Sequence, residues 1–308
     1  MTDPTQVLAP EDRLDAFSAS PGASEVLASK GAYEQLARPI MRRPTVILSL
    51  LMLSAAAAAA FWPHLFTQTD PLQTSPANVL QPPGTAGYLF GTDQVGRDLY
   101  SRIVYGAGPS LLAAMIAIAV SFVGGALLGL VAGYFGGKTD TAIMRFADVL
   151  LSFPTLLLAM AIVAVLGFGL VNVATAVGVV GIAGMARVMR SEVLRVSSQT
   201  YVEAAGVSGA RWWTVLLRHV LPNSLGPIVV LAALEFGTAI LSVSSLSFLG
   251  FGAPPPSPEW GSQIAVGRNY LVSAWWLTAI PGLILALVVI SANRMSRAVD
   301  GEIKGATR

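Results

Sequence analysis

The chain has 308 residues, of which 54% are hydrophobic and 12% charged, about half the charged share of a soluble domain. It has no cysteine and only two histidines, His64 and His219, so disulfides and thiolate metal sites are closed to it and no metal ligand set is assigned. Its net charge of +2 is spread along the flanks of apolar runs. That distribution argues against a nucleic-acid partner and for a multi-pass protein surrounded by membrane lipid.

The leading tail, 1–40, is acidic and rich in small residues and reads as loosely ordered or weakly helical. Six apolar segments then approach the roughly 20 residues that cross a bilayer as helix. They run from Pro44 to Trp62, Leu111 to Phe135, Ile143 to Leu166, Leu170 to Met185, Leu225 to Phe251 and Tyr270 to Ala292, and the short fourth can extend through Val188. The first, within 41–66, carries the run Ala55 to Ala60; its long leader and the five spans behind it make it a retained span and not a cleaved signal. Sixteen of the nineteen lysines and arginines fall in the two tails, the 2–3 loop and the 4–5 loop, against Arg97, Arg102 and Arg268 on the other side. This bias predicts a cytoplasmic location for both termini, including the closing tail 299–308, and for the 4–5 loop.

Between the first two spans lies an outer segment, 67–108. Its stretch LFGTDQVGRDLYSRIVYG, Leu89 to Gly106, places Leu99, Ile103 and Val104 on one face, the pattern of a short helix on the membrane surface. In the second span Ala113, Ala117, Ser121, Gly125, Gly129 and Gly133 form a row of small residues at every fourth position. Such a row predicts close helix packing, either inside the subunit or against a second one. Pro154 in the third span and Pro281 in the sixth each remove a backbone donor and predict kinks. Arg145 and Asp148, three residues apart at the cytoplasmic start of the third span, are expected to pair with each other. Glu235 is the one charge clearly inside a span, and two readings stand: a position on a hydrated pathway, or a packed acid. The prolines of GFGAPPPSPEWG, Gly250 to Gly261, predict a rigid outer loop with Trp260 near the interface.

The 4–5 loop, 188–222, departs from the apolar background with EAAGVSGARWWTVLLRHVLP, Glu203 to Pro222. A helix is expected over Gln199 to Ser208, ended by a left-handed turn at Gly209. A second, Ala210 to Val220, gathers Trp213, Leu216, Leu217 and Val220 on one face with Arg211 and Arg218 off it. Pro222 is expected to stop it. Composition alone fits either a partnerless amphipathic hairpin or a rigid element that transmits force between two spans.

The spacing of Glu203-Ala204-Ala205, Gly209 and His219-Val220-Leu221-Pro222 resembles the EAA loop of permease subunits of ATP-binding-cassette importers. Further segments resemble one branch, the second permease of dipeptide, oligopeptide and nickel uptake systems. These are GTDQVGRDLYSRIVYG from Gly91, RFADVLLSFPTLLLA from Arg145, LSFLGFG from Leu246, PEWG from Pro258 and VGRNYL from Val266. Together they cover the chain from about Gly91 to Asn293. Departures fall at Gly108-Pro109, at Val243, where an acid is common, and in the closing NRMSRAVDGEIKG.

The resemblance implies an all-helical integral membrane protein with six transmembrane helices, the type I importer permease fold with a cytoplasmic coupling helix and a five-helix core over 109–298. It implies a permease subunit and not an enzyme, in the inner membrane of a bacterium or archaeon. The implied partners are a homologous second permease in a heterodimer, two cytoplasmic ATPase subunits and an extracytoplasmic solute-binding protein. ATP and magnesium belong to the ATPase subunits and no cofactor to this chain, which lacks a phosphate-cradling GxxxxGK[ST]. The implied coupling positions are Glu203 as polar anchor, Ala204 and Ala205 as small docking surfaces, Gly209 as the turn, and Arg211, His219 and Pro222. The implied cargo is a dipeptide or short oligopeptide, with nickel, glutathione or another small solute as alternatives. An ion-coupled secondary transporter is the rival class; it calls for intramembrane ion-coupling groups and a repeat between halves, and the sequence offers only Glu235. A membrane enzyme lacks a constellation at catalytic spacing.

Overall fold

The computed structural model describes residues 44–306, with side chains through residue 298. The leading tail expected over 1–40 and the side chains of the closing tail lie outside the described residues.

Ten helices carry the fold in the described residues: α1 Pro44–Phe61, α2 Leu99–Phe135, α3 Gly137–Ser152, α4 Thr155–Leu166, α5 Leu170–Ser197, α6 Thr200–Val207, α7 Trp212–Val215, α8 Leu221–Phe248, α9 Trp260–Gly267 and α10 Trp276–Ala306. A wide turn, Leu216–Val220, joins α7 to α8 without a break, so Trp212–Phe248 runs as one rod. Five rods are long and apolar enough to cross a membrane: α1, α2, α5, the α7–α8 rod and α10. The pair α3 and α4 makes a sixth only as a bent unit, with 100° between its halves.

Several boundaries differ from expectation for local reasons. The outer stretch ending at Gly106 is not a separate surface helix. Asp98 caps α2, its carboxylate accepting from the Ser101 amide over 3.0 Å, and α2 then continues for 37 residues. Leu99 and Ile103 are buried against Ala274, Trp276 and Leu277, not laid on lipid. Pro154 does more than kink the third span. It forces Phe153 into an extended conformation, φ −91° and ψ 143°, the restriction a proline places on its predecessor, and separates α3 from α4. Pro281 lies inside α10 without ending it, and α10 runs past Ala292 to Ala306. Likewise α5 outlasts the predicted Met185 and reaches Ser197.

Trp260 is buried to 1% exposure, not set at the interface. Its ring N–H donates to the Ile103 carbonyl over 2.9 Å and its amide to Ser110 Oγ over 3.1 Å. Glu259 begins α9 by accepting from the amides of Gly261 and Ser262, each at 2.8 Å. Burial pushes its carboxyl above the ordinary carboxylate range, although those two amide bonds pull the other way. The outer loop is therefore anchored into the first turns of α2.

The centre of the fold is the α2–α5 seam. The small row on α2 faces α5 of the same chain: a methyl group at Gly133 would lie 2.8 Å from Val193 Cβ, and those at Gly125 and Gly129 would run into Met185, Ala186 and Met189. Close backbone approach replaces side-chain bulk here, the way membrane helices gain contact where no hydrophobic drive separates helix from lipid. The main apolar core gathers around this seam from α2, α5, α8 and α10. A second cluster, with Met189, Val193, Val202, Val215, Val220 and Ile228, continues it towards the 4–5 loop.

Candidate functional site

The 4–5 loop folds as a compact hairpin at the end of α5. The helix α6 turns back at Gly209, whose φ of +83° is the left-handed conformation that glycine tolerates best. Inside the turn, Ser208 Oγ donates to the Ala204 carbonyl over 2.8 Å and the Ala210 amide to that of Ala205 over 3.2 Å. Arg211 then precedes α7 as its cap residue, its guanidinium 5.1 Å from the ring centre of Trp213.

The hairpin has a buried base and a bare tip. Val202, Val215, Leu216 and Val220 are buried and Ala205 packs against them. Glu203, Ala204 and Gly209 are exposed, and Val207 is 90% exposed. No described residue pairs with Glu203. The expected apolar face is corrected in part: Leu216 and Val220 are inside, whereas Trp213 and Leu217 are exposed and Val215 takes the inward place. His219 and Pro222 lie away from the tip, at the membrane end. The His219 ring meets Tyr201 edge-on at 6.4 Å.

Pro222 does not stop the second helix. It occupies the first turn of α8, and the turn before it is widened so that the Leu221 amide donates to the Leu216 carbonyl five residues back. A proline ring crowds the carbonyl four residues behind it, and a widened turn relieves the crowding without breaking the rod. Asn223 Nδ2 donates to the His219 carbonyl over 2.6 Å beside it.

The hairpin is clasped to α2 by residues that motif reading passed over. Tyr134 donates its hydroxyl to the Trp212 carbonyl, and the Phe135 ring lies 5.5 Å from that of Trp212. The adjacent aromatic pair Tyr134-Phe135 at the end of the span was the available signal.

The expected Arg145–Asp148 pair does not form. Asp148 instead meets Arg187 of α5 at 2.5 Å, and Asp140 takes two N–H groups of Arg190. A bend at Pro154 turns α3 alongside α5, and a partner 39 residues away in sequence outcompetes one on the same helix. Arg145 lines the open cleft of about 650 Å3 between these two pairs.

Glu235 lies on a second cavity of about 400 Å3, among α2, α4, α5 and α8. Ser121, Thr155, Thr238 and Ser242 are its other polar walls. Pro154 matters here because α4 starts after it, at Thr155, which lines the cavity.

A bundle of apolar rods with a clasped, bare-tipped hairpin between two of them defines a multi-pass membrane protein. Residues 125–305 match the family described as binding-protein-dependent transport system inner membrane component, and the chain belongs to it. It is 38% identical over 274 residues to the dipeptide transport system permease protein DppC of Alkalihalophilus pseudofirmus, covering 89% of this chain and 90% of that one. It is also 38% identical to the glutathione transport system permease protein GsiD of Pectobacterium atrosepticum, covering 83% and 85%. Among solved structures, a chain of the MetNI methionine ABC transporter superposes with a TM-score of 0.50 at 17% identity, covering 64% of this chain and 96% of that one. That likeness concerns the fold.

Proposed function

We propose that this chain translocates dipeptides or short oligopeptides as one permease subunit of an ATP-driven importer. The observation that carries the reading is the hairpin: a tip whose Glu203, Ala204 and Gly206 to Gly209 are exposed, with Ala205 packed on the buried base, clasped to α2 and continuous with both α5 and α8. Glu203 is the polar anchor for an ATPase groove, Ala204 and Ala205 leave room for close approach, and Gly209 sets the turn. Arg211 fixes the start of α7, while His219 and Pro222 act at the membrane end, where force passes into α8.

The working complex on this reading is a heterodimer with a homologous second permease, two cytoplasmic ATPase subunits that bind ATP and magnesium, and an extracytoplasmic solute-binding protein. Both termini face the cytoplasm of a bacterial or archaeal cell. Nucleotide-driven closure of the ATPases moves the hairpin, and the rods tip between inward- and outward-facing states that the ligands favour unequally. Gly125, Gly129 and Gly133 keep α2 and α5 moving as one body, and Arg145 and Asp148 lie on the cytoplasmic flank of that body. The similarity to a glutathione permease supports a second cargo reading, since glutathione is itself a small peptide-like solute.

The test is ATP hydrolysis by the purified complex in lipid, with and without cargo-loaded binding protein, comparing wild type with Glu203→Ala. Stimulation by dipeptide-loaded binding protein that is lost in the variant supports both coupling and cargo. Stimulation by glutathione alone moves the cargo to the second reading. Uptake that survives ATP depletion and collapses with an ion gradient overturns the importer in favour of an ion-coupled carrier.

A further inference from the structure

Glu235 is an acid in mid-membrane that no described residue neutralises. Its side chain is exposed and takes part in no ion pair with any described residue. Thr238 and Ser242 follow at intervals of three and four, so all three fall on one face of α8. That face looks across the cavity to Ser121 on α2 and Thr155 at the start of α4. A packed acid would be buried with a hydrogen-bond partner, and an acid facing lipid would be expensive. Glu235 is in neither situation. It borders a largely apolar space of about 400 Å3 that carries four hydroxyls on its walls, where the field of a carboxylate acts on whatever enters.

We infer that this cavity is a cation-preferring station on the translocation path, where Glu235 receives an ammonium group of the passing cargo. In a peptide that group is the amino terminus. The cargo assignment rests on the peptide-importer reading; the charge preference of the cavity does not. A carboxylate draws in an ammonium and repels the carboxylate at the other end of a peptide, so this half of the pathway orients its cargo. The hydroxyls of Thr155, Thr238 and Ser242 accept the remaining N–H groups, which keeps the station weak enough to leave.

Because the chain has no cysteine, a single introduced thiol reports on the cavity alone. In the assembled complex, Thr238→Cys and Ser242→Cys are labelled with a cationic and an anionic methanethiosulfonate of similar size, and modification is read on this chain. Relative to a Glu235→Gln background, Glu235 is expected to raise the cationic-to-anionic rate ratio about tenfold, and Glu235→Asp to keep most of that preference. An unchanged ratio overturns the station, as it would if the second permease supplied a neutralising cation, and so does the absence of labelling at both positions.

Uptake of a dipeptide is then measured at saturating binding protein, with membrane amounts of the complex matched. Glu235→Gln is expected to lower maximal uptake about fivefold, with Glu235→Asp recovering most of it. Unchanged uptake overturns the ammonium assignment. A charge preference in the thiol assay combined with no ATP-driven peptide uptake in wild type keeps the station and removes the peptide-importer reading, so the two fail separately.

Discussion

The Tyr134 hydroxyl donates to the main-chain carbonyl of Trp212 over 3.0 Å, tying the C-terminal end of α2 to the first residue of α7. α2 is already seated on α5 through its small-residue row, and α5 leads into the hairpin. The hairpin is thus held from both sides, and a displacement of its tip reaches two rods together. Replacing Tyr134 with Phe removes one hydrogen bond, about 1 kcal/mol, and leaves the ring contact with its neighbours. The expected outcome is an assembled complex with normal basal ATP hydrolysis and weakened stimulation by loaded binding protein, measured side by side in lipid.

Gly209→Val tests the turn. A methyl group there meets nothing within 4 Å, so crowding does not contribute and the backbone is the whole effect. A residue with a side chain loses roughly 1–2 kcal/mol in the left-handed conformation, and a β-branched one adopts it least readily. The variant is expected to insert and to assemble, with peptide uptake abolished. Normal uptake would falsify the assignment of Gly209 to coupling.

The seam makes a paired prediction. Gly129→Ala places a methyl 2.5 Å from Met189 Cβ, an overpacking of about 1–3 kcal/mol. At Gly184, on α5, the same change meets nothing within 4 Å. Melting of the detergent-extracted complex is expected to fall for Gly129→Ala and to hold for Gly184→Ala.

The two cross-helix ion pairs differ in how far they are shielded. Asp148 and Arg187 are 52% and 50% exposed, whereas Asp140 and Arg190 are 19% and 33% exposed and joined through two N–H groups. Asp148→Asn is expected to cost under about 0.5 kcal/mol, and that only at low salt. Asp140→Asn is expected to cost about 1 kcal/mol and to persist at high salt. Thermal melts at two ionic strengths separate them.

Glu259→Ala removes the cap of α9 and is expected to lower stability by about 1 kcal/mol. The difference depends on pH. Burial raises the carboxyl pKa above its ordinary 4.5, so the folded chain holds the proton where the unfolded chain has released it. The contribution of Glu259 is greatest below 4.5 and declines as pH rises through the folded value. The wild-type advantage over Glu259→Ala should therefore shrink from acidic to neutral pH in paired melts.

The membrane class, the all-helical architecture and the hairpin with its turn at Gly209 are legible in the sequence, because each depends on neighbours within a few residues. The small row on α2 is equally visible as a period of four, although only tertiary structure says which helix sits in it. Pro154 and Pro222 resist such reading. One ends a helix and the other is absorbed by a widened turn, and the choice depends on whether the flanking segments have somewhere to pack. Asp148 looks paired with Arg145 at helical spacing, yet α5 brings it Arg187. Trp260 looks like an interface aromatic until the Ile103 carbonyl is found waiting for its ring N–H. In each case the deciding partner is remote in sequence.

The wide turn at Leu216–Val220 has a consequence for the angular setting of α8. A turn that takes in one extra residue shifts the phase of everything after it by about 100°, one residue's share of an α-helical rotation. The hairpin's buried face and the cavity face of α8 are therefore indexed to each other through those five residues. Winding those five residues as a regular α-helix, with none removed, would swing Glu235, Thr238 and Ser242 together away from the space they now border, whereas deleting one of them would leave all three in place.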